Sequence, residues 1–289
     1  GRDFTYDDYW SLSGRIANAL AHHSVGVGDR VAVQVAKSVE GLALFLACAR
    51  LGAIFLPLNT AYTAAEVNYF VRDAAPSLII CEPAKAGVLS GMANTVLTLD
   101  DQGGGSLAEA IKLESSVFTD AKTSWDDGVA LLYTSGTTGK SKGALLTHGN
   151  LASNAVTLVE VWGFGPSDVL IHALPIYHTH GLFTATNTVL LSGGSLLFRR
   201  KFDVDEVISL LPQATSLMGV PTFYTRLLSH EGLTRDSVKH MRLFISGSAP
   251  LLAETHRGFE EKTGHAILER FGMTETSMNT SNPYRGERR

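Results

Sequence analysis

Short apolar runs alternate with longer stretches of helical period along most of the chain. Residues 31–35, 54–57 and 78–81 are compact, apolar or β-branched, and predict strands. Residues 39–51 and 64–73 predict helices, the second with Thr63 as its cap. The alternation resumes beyond residue 149. Helix 150–162 leads to strand 169–173, helix 181–191 and extended residues 195–198; helices 204–211 and 222–229, strand 243–246 and helix 252–262 follow. Strands alternating with helices predict an α/β fold of two packed α/β lobes with mostly parallel sheets. The polar stretches 100–106 and 114–127 read as surface connections between the halves, which places the lobes at 1–125 and 126–289.

Composition narrows the function classes. With 289 residues, 45% hydrophobic and 18% charged, the chain can bury a large core. A net charge of -4 provides no basic footprint for nucleic acid. Cys48 and Cys81 lie inside apolar runs without a CxxC partner, and read as buried thiols of a reducing compartment. No uninterrupted apolar stretch reaches the roughly 20 residues that span a bilayer. Small-molecule partners, no nucleic acid, no membrane span and a cytoplasmic location are expected. The mitochondrial matrix is the alternative, had a targeting segment been removed.

Between the apolar runs 129–133 and 144–147 stand Thr134, Ser135, Gly136, Thr137, Thr138, Gly139 and Lys140, then Ser141, Lys142 and Gly143. Glycines let backbone N–H groups approach an anion, hydroxyls add donors, and lysine adds compact charge, so the segment suits a polyphosphate. The P-loop of nucleotide triphosphatases does not fit. Its first glycine would fall at Thr134, and residues 144–147 read as a strand where a helix should start. An exposed hairpin turn is the plainer reading of such a cluster.

Three further segments invite a chemical reading. Glu269-Arg270-Phe271-Gly272-Met273-Thr274-Glu275-Thr276 reads as a strand end or turn, with Gly272 permitting close backbone approach. Ser246-Gly247-Ser248-Ala249-Pro250-Leu251 reads as a strand–loop–helix junction. Leu174-Pro175-Ile176-Tyr177-His178-Thr179-His180-Gly181 holds two histidines at i, i+2, with no third ligand at metal spacing.

The loop from Tyr133 to Gly143 resembles the phosphate loop of the adenylate-forming superfamily of acyl-CoA synthetases, luciferases and adenylation domains. The run from Phe271 to Glu275 is similar to its aromatic-Gly-x-Thr-Glu signature. The resemblance implies an ATP site built from Thr134 to Lys140, from Ser248 and Ala249, and from Glu269, Arg270, Phe271, Gly272, Met273 and Thr274. In it Phe271 stacks near adenine, Thr274 bonds phosphate, and Glu275 holds Mg²⁺, with Thr134 as a further candidate ligand. A hard cation prefers such carboxylate and phosphate oxygens. His178 matches the histidine that borders the acyl pocket and thiol path. Thr134, Lys140, His178, Thr274 and Glu275 are thus the catalytic candidates, with coenzyme A as the second substrate.

Arg226 and Arg270, with the segments 183–187 and 278–284, resemble the malonyl-CoA synthetase branch, whose arginines clamp the distal carboxylate of malonate. Each arginine alone also reads as a surface or ion-paired residue. Arg226, Arg270 and Ser246 are therefore the carboxylate candidates, and methylmalonate is a second acid. Family members continue with a ribose-binding aspartate and a C-terminal domain carrying an adenylation lysine. Lys140, Lys142 and Lys262 do not match that lysine's context. The expectation is an incomplete AMP-binding N-terminal domain, without its lid, inactive alone. Rival readings are another short-chain or aryl acyl-CoA synthetase, a carrier-loading adenylation domain, and a non-catalytic nucleotide-binding module.

Overall fold

The computed structural model describes residues 2–134 and 141–286. They form two compact units, Gly1–Gly149 and Asn150–Arg289. The division falls later than the polar stretch at 114–127 suggested. Strands β5 (Gly128–Thr134) and β6 (Lys142–Thr147) pair antiparallel and join the first sheet, so both strands that flank the glycine-rich segment belong to the first unit. The stretches 100–106 and 114–127 therefore lie within that unit rather than between the two.

In the first unit, β1 (Arg30–Gln34), β2 (Ile54–Pro57), β3 (Leu78–Cys81) and β4 (Thr95–Thr98) complete a sheet ordered β4-β3-β1-β2-β5-β6. All neighbours but β5 and β6 run parallel. Every residue of β3 is buried, as expected for a parallel strand covered on both faces. Helix Val39–Leu51 starts where the Ser38 side chain accepts from the Gly41 N–H, and ends on left-handed Gly52. Thr63 and Glu66 form a reciprocal capping box at the head of helix Ala64–Ala74. Cys48 and Cys81 are buried free thiols.

The second unit contains β7 (Val169–His172), β8 (Ser195–Phe198), β9 (Ser216–Gly219), β10 (Leu243–Ser246), β11 (Ile267–Met273) and β12 (Ser277–Ser281), in the order β12-β11-β10-β9-β7-β8. Again only the last pair, β11 and β12, is antiparallel. The two-residue period of a strand divides the core. Ile171, Leu217 and Phe244 enter one cluster with Tyr224 and Phe259, while Leu170, Met218 and Ile245 enter the other with Trp162. From β7 the chain passes to β8 on one side and then to β9 on the other, so the strand order reverses beside β7. In open α/β sheets, ligands bind at such a reversal, beyond the carboxyl ends of the strands.

One predicted helix divides in two. Residues His180–Ala185 form a π-helical turn, and Thr186–Ser192 continue as α-helix. π-turns widen the backbone spiral and often mark functional sites. At the amino end of β7, Asp168 accepts two hydrogen bonds from Arg242 at 2.7 and 2.9 Å and one from the Thr215 hydroxyl at 2.7 Å. Burial alone would raise the Asp168 carboxyl. Its hydrogen bonds to Arg242, Thr215 and Gly165 and the arginine's charge outweigh that and hold it below its ordinary value.

Candidate functional site

Two cavities open beyond the carboxyl ends of the second sheet. The larger, about 580 Å³, is lined by Ser246, Ser248, Ala249, Glu269, Arg270 and Phe271 among others. The smaller, about 420 Å³, is lined by residues that include His178, Thr179, His180, Val220, Thr274 and Met278. Ser248, Arg270 and Gly272 line both. These residues end β10, follow β7, β9 and β10, or stand on the β11–β12 hairpin, and the reversal of strand order places a ligand beyond these carboxyl ends.

Arg270 dominates the electrostatics. It is only 7% exposed, yet Nε and Nη2 of its guanidinium make no hydrogen bond. Burial pushes its pKa down to about 10, the nearby Tyr224 acting in the opposite direction, and it remains a cation at neutral pH. A buried, uncompensated charge is costly, and an anionic ligand removes much of that cost. Ser246, 1% exposed at the end of β10, also has an unpaired hydroxyl and lines the larger cavity. Tyr224 braces this region from below, its hydroxyl donating to the Ile245 carbonyl at 2.6 Å.

The β11–β12 hairpin builds the other wall. A Cβ on Gly272 would lie 2.2 Å from the Ser277 carbonyl oxygen, so this crossing requires glycine. The ladder shifts register between Phe271 and Gly272, and Phe271 is left 57% exposed. Thr274, half-buried, lines the smaller cavity, while Glu275 is exposed in the turn that follows. Met273 and Ala249 are exposed at the rims. His178 is exposed at the mouth of the smaller cavity, and its ring lies 4.7 Å from that of Tyr177.

The structure thus brings together Ser246, Ser248, Ala249, Glu269, Arg270, Phe271, Gly272, Met273, Thr274 and His178 around two adjoining cavities. Arg226 is not among their lining residues. It is exposed on helix Pro221–Leu228, and its guanidinium stacks over the Phe202 ring at 4.9 Å. Thr134, half-buried, ends β5 in the first unit. Ser135, Gly136, Thr137, Thr138, Gly139 and Lys140 lie outside the described residues.

Two participants were not singled out from the sequence. Gly247 is packed so tightly on the Arg270 guanidinium that any side chain there would displace it. His180 is 4% exposed, lines the smaller cavity and has an unpaired Nε2. Its pKa is held well below the ordinary value by burial, then by Arg270 and His172. Its only sequence signal was its place two residues after His178.

The chain is similar to ATP-bound MatB from Rhodopseudomonas palustris, at 56% identity and a TM-score of 0.97, covering all of this chain and 58% of that one. It is 33% identical over 258 residues to the mitochondrial malonate–CoA ligase ACSF3 of Xenopus laevis, covering 82% of this chain and 44% of that protein. It is 30% identical over 279 residues to a feruloyl-CoA synthase of an Amycolatopsis species, covering 96% of this chain and 55% of the relative. The chain therefore spans about half the length of the curated relatives it matches. The profile of the AMP-binding enzymes matches residues 1–289, and the chain belongs to that family.

Proposed function

We propose that the protein is an ATP-dependent carboxylic acid–CoA ligase that works through an acyl-adenylate, with malonate as its acid and methylmalonate as a second substrate. The observation that carries this reading is Arg270, a buried cation with two unpaired guanidinium nitrogens at the junction of two cavities. One carboxylate of malonate satisfies that cation while the other reacts. A monocarboxylate leaves either the reacting end or the arginine unserved, which costs roughly 3–5 kcal/mol.

In the first step a carboxylate oxygen attacks the α-phosphorus of ATP, the bond to the bridging oxygen breaks, and pyrophosphate leaves. In the second, the CoA thiolate attacks the acyl carbonyl and AMP leaves. Neither step requires a protein nucleophile. Thr274 supplies a hydroxyl to phosphate; Thr134, Lys140 and the other loop residues add donors and charge to the polyphosphate. Magnesium enters with ATP as part of the substrate. Among the described residues no three His, Cys, Asp or Glu side chains converge. A single carboxylate from Glu275, joined to phosphate oxygens, fits the usual preference of Mg²⁺. Phe271, more than half exposed beside the larger cavity, offers a face to adenine. His178 shapes the mouth through which acid or thiol passes.

The test is pyrophosphate release by the full-length protein with malonate, methylmalonate, acetate and ferulate. Malonate should give the highest kcat/KM. Arg270→Met should lower it by roughly 10²- to 10³-fold, because a carboxylate is then buried without its partner. Arg226→Ala should cost less than about tenfold, since an exposed charge is largely screened. Turnover of acetate or ferulate at the malonate rate would overturn the reading.

A further inference from the structure

Beside Arg270 the smaller cavity holds a second group whose hydrogen-bonding capacity the protein does not use. His180 is almost fully buried at the start of the π-turn, and its Nε2 has no partner. Its Nδ1 lies 3.3 Å from the Ser248 hydroxyl. Ser248 itself sits at φ 70°, a left-handed conformation that side chains other than glycine and asparagine rarely adopt. Such backbone strain persists where surrounding structure requires it, and here it accompanies contact between the hydroxyl and the imidazole.

The proton balance of the pocket follows from these contacts. A second cation next to the Arg270 guanidinium would leave one buried charge uncompensated by a single carboxylate, so the imidazole that fits is the neutral one. The pairing in which the hydroxyl donates to Nδ1 puts the ring proton on Nε2, the nitrogen left without a partner in the protein. Nε2–H is then a neutral donor beside a charged one, in a cavity both residues line. One monoanionic carboxylate can accept from both, through its two oxygens.

We propose that His180 is a specificity-determining residue for the acid: its Nε2–H, with the tautomer set by Ser248, binds the same free carboxylate as Arg270. The inference rests on the dicarboxylate reading above and adds a residue and a protonation state to it. Arg270 supplies charge and so admits an anion of almost any shape. His180 supplies a directional bond, and separates a planar carboxylate at the correct distance from a chain that ends in a methyl group. Ser248 does not touch the acid; it is a positioning residue that acts through the ring.

The experiment compares His180→Phe, His180→Gln and Ser248→Ala in the full-length protein, with KM measured separately for malonate and ATP. Phenylalanine keeps the ring and removes the donor, and should raise the malonate KM about tenfold while leaving the ATP KM within twofold. Glutamine places an N–H near Nε2, and should restore the malonate KM to within about threefold of the parent. Ser248→Ala should raise the malonate KM by a smaller factor, about threefold, by releasing the tautomer. An unchanged malonate KM in His180→Phe, with the parent active on malonate, would overturn the role of His180 and leave the malonate reading standing. Failure of glutamine to rescue, with both KM values raised together, would reduce His180 to a packing residue. A parent that turns over no dicarboxylate would sink the malonate reading itself, and this inference with it.

Discussion

A Cβ built on Gly247 would lie 2.3 Å from the guanidinium carbon of Arg270 and 2.4 Å from its Nε. The atoms in conflict are the far end of a flexible side chain, so an added methyl would displace the guanidinium before it disturbed the sheet. Gly247→Ala should therefore keep the fold and misplace the cation. The expected result is a rise in malonate KM of at least about tenfold, with a thermal midpoint within a few degrees of the parent. Malonate titration and a melting curve on the same preparation test it. An unchanged malonate KM would mean that the arginine tolerates the shift.

Arg270 should also weaken the fold it serves. Burial pushes its pKa down to about 10, so the folded state holds this proton less firmly than the unfolded chain. The charged form thus subtracts from stability at neutral pH, and that loss is relieved only as pH rises through about 10. Arg270→Met keeps the stem's volume and removes the charge. It should stabilise the protein by about 1–3 kcal/mol while abolishing selection of the acid. Denaturant melts with and without malonate separate the effects: the variant should begin more stable and gain nothing from the ligand. A large destabilisation would show that the guanidinium is already compensated within the protein.

Much of this was legible in the sequence, and the gaps have physical causes. The expected helix at 39–51 and strands at 54–57 and 78–81 match observed elements residue for residue, because uniform apolar runs and cap residues mark their ends. Helix Tyr6–His22 was not anticipated. Its buried face includes Ser13, Gly14, Ala17 and Ala19, small residues that carry little apolar signal. Gly14 is there because a Cβ would lie 2.2 Å from the Ser116 carbonyl oxygen, a contact invisible in sequence. Strand Ser216–Gly219 was missed for the same reason, being short and bounded by serine and glycine.

The two arginines show the limit for the site. In helix Pro221–Leu228 the buried residues are Tyr224 and Leu227, three apart on one face. Arg226 falls nearly opposite Tyr224 on the helical wheel and is exposed, which the period alone allows one to deduce. Arg270 stands on a strand of mixed burial, and its burial depends on Gly247 and Tyr224, which lie far away in sequence. The same is true of His180, whose inward placement follows from the π-turn rather than from a periodic pattern.

Acid should destabilise the protein through buried and half-buried histidines. Burial lowers the pKa of His148, His180 and His265, and for His180 the charges of Arg270 and His172 lower it further. With folded values below the ordinary 6.5, the unfolded chain binds protons first as pH falls. Stability should therefore hold above about pH 6.5 and decline below it, until the folded values are reached. Denaturant midpoints at pH 7.5 and 5.5 should show this fall, and His180→Gln should show a smaller one. An identical fall in the variant would mean that His180 is already free to take up a proton when folded.

The last prediction concerns the stem of the glycine-rich loop. From helix Ala64–Ala74, the Tyr69 hydroxyl donates to the Ser141 carbonyl at 2.8 Å, and the Asp73 carboxylate accepts from the Tyr133 hydroxyl. One helix thus holds the chain on both sides of the segment from Thr134 to Lys140. Burial, with Asp73 as acceptor, raises the Tyr133 pKa, so the phenol keeps its proton and the bond persists across the physiological range. If the loop binds polyphosphate, fixing its two ends lowers the entropy lost when ATP is bound. Tyr69→Phe should raise the ATP KM about three- to fivefold with the malonate KM unchanged, and the double variant with Tyr133→Phe should raise it further. Steady-state kinetics with each substrate varied in turn decides the matter. An ATP KM that does not move in the double variant would show that these tyrosines support the first sheet and nothing more.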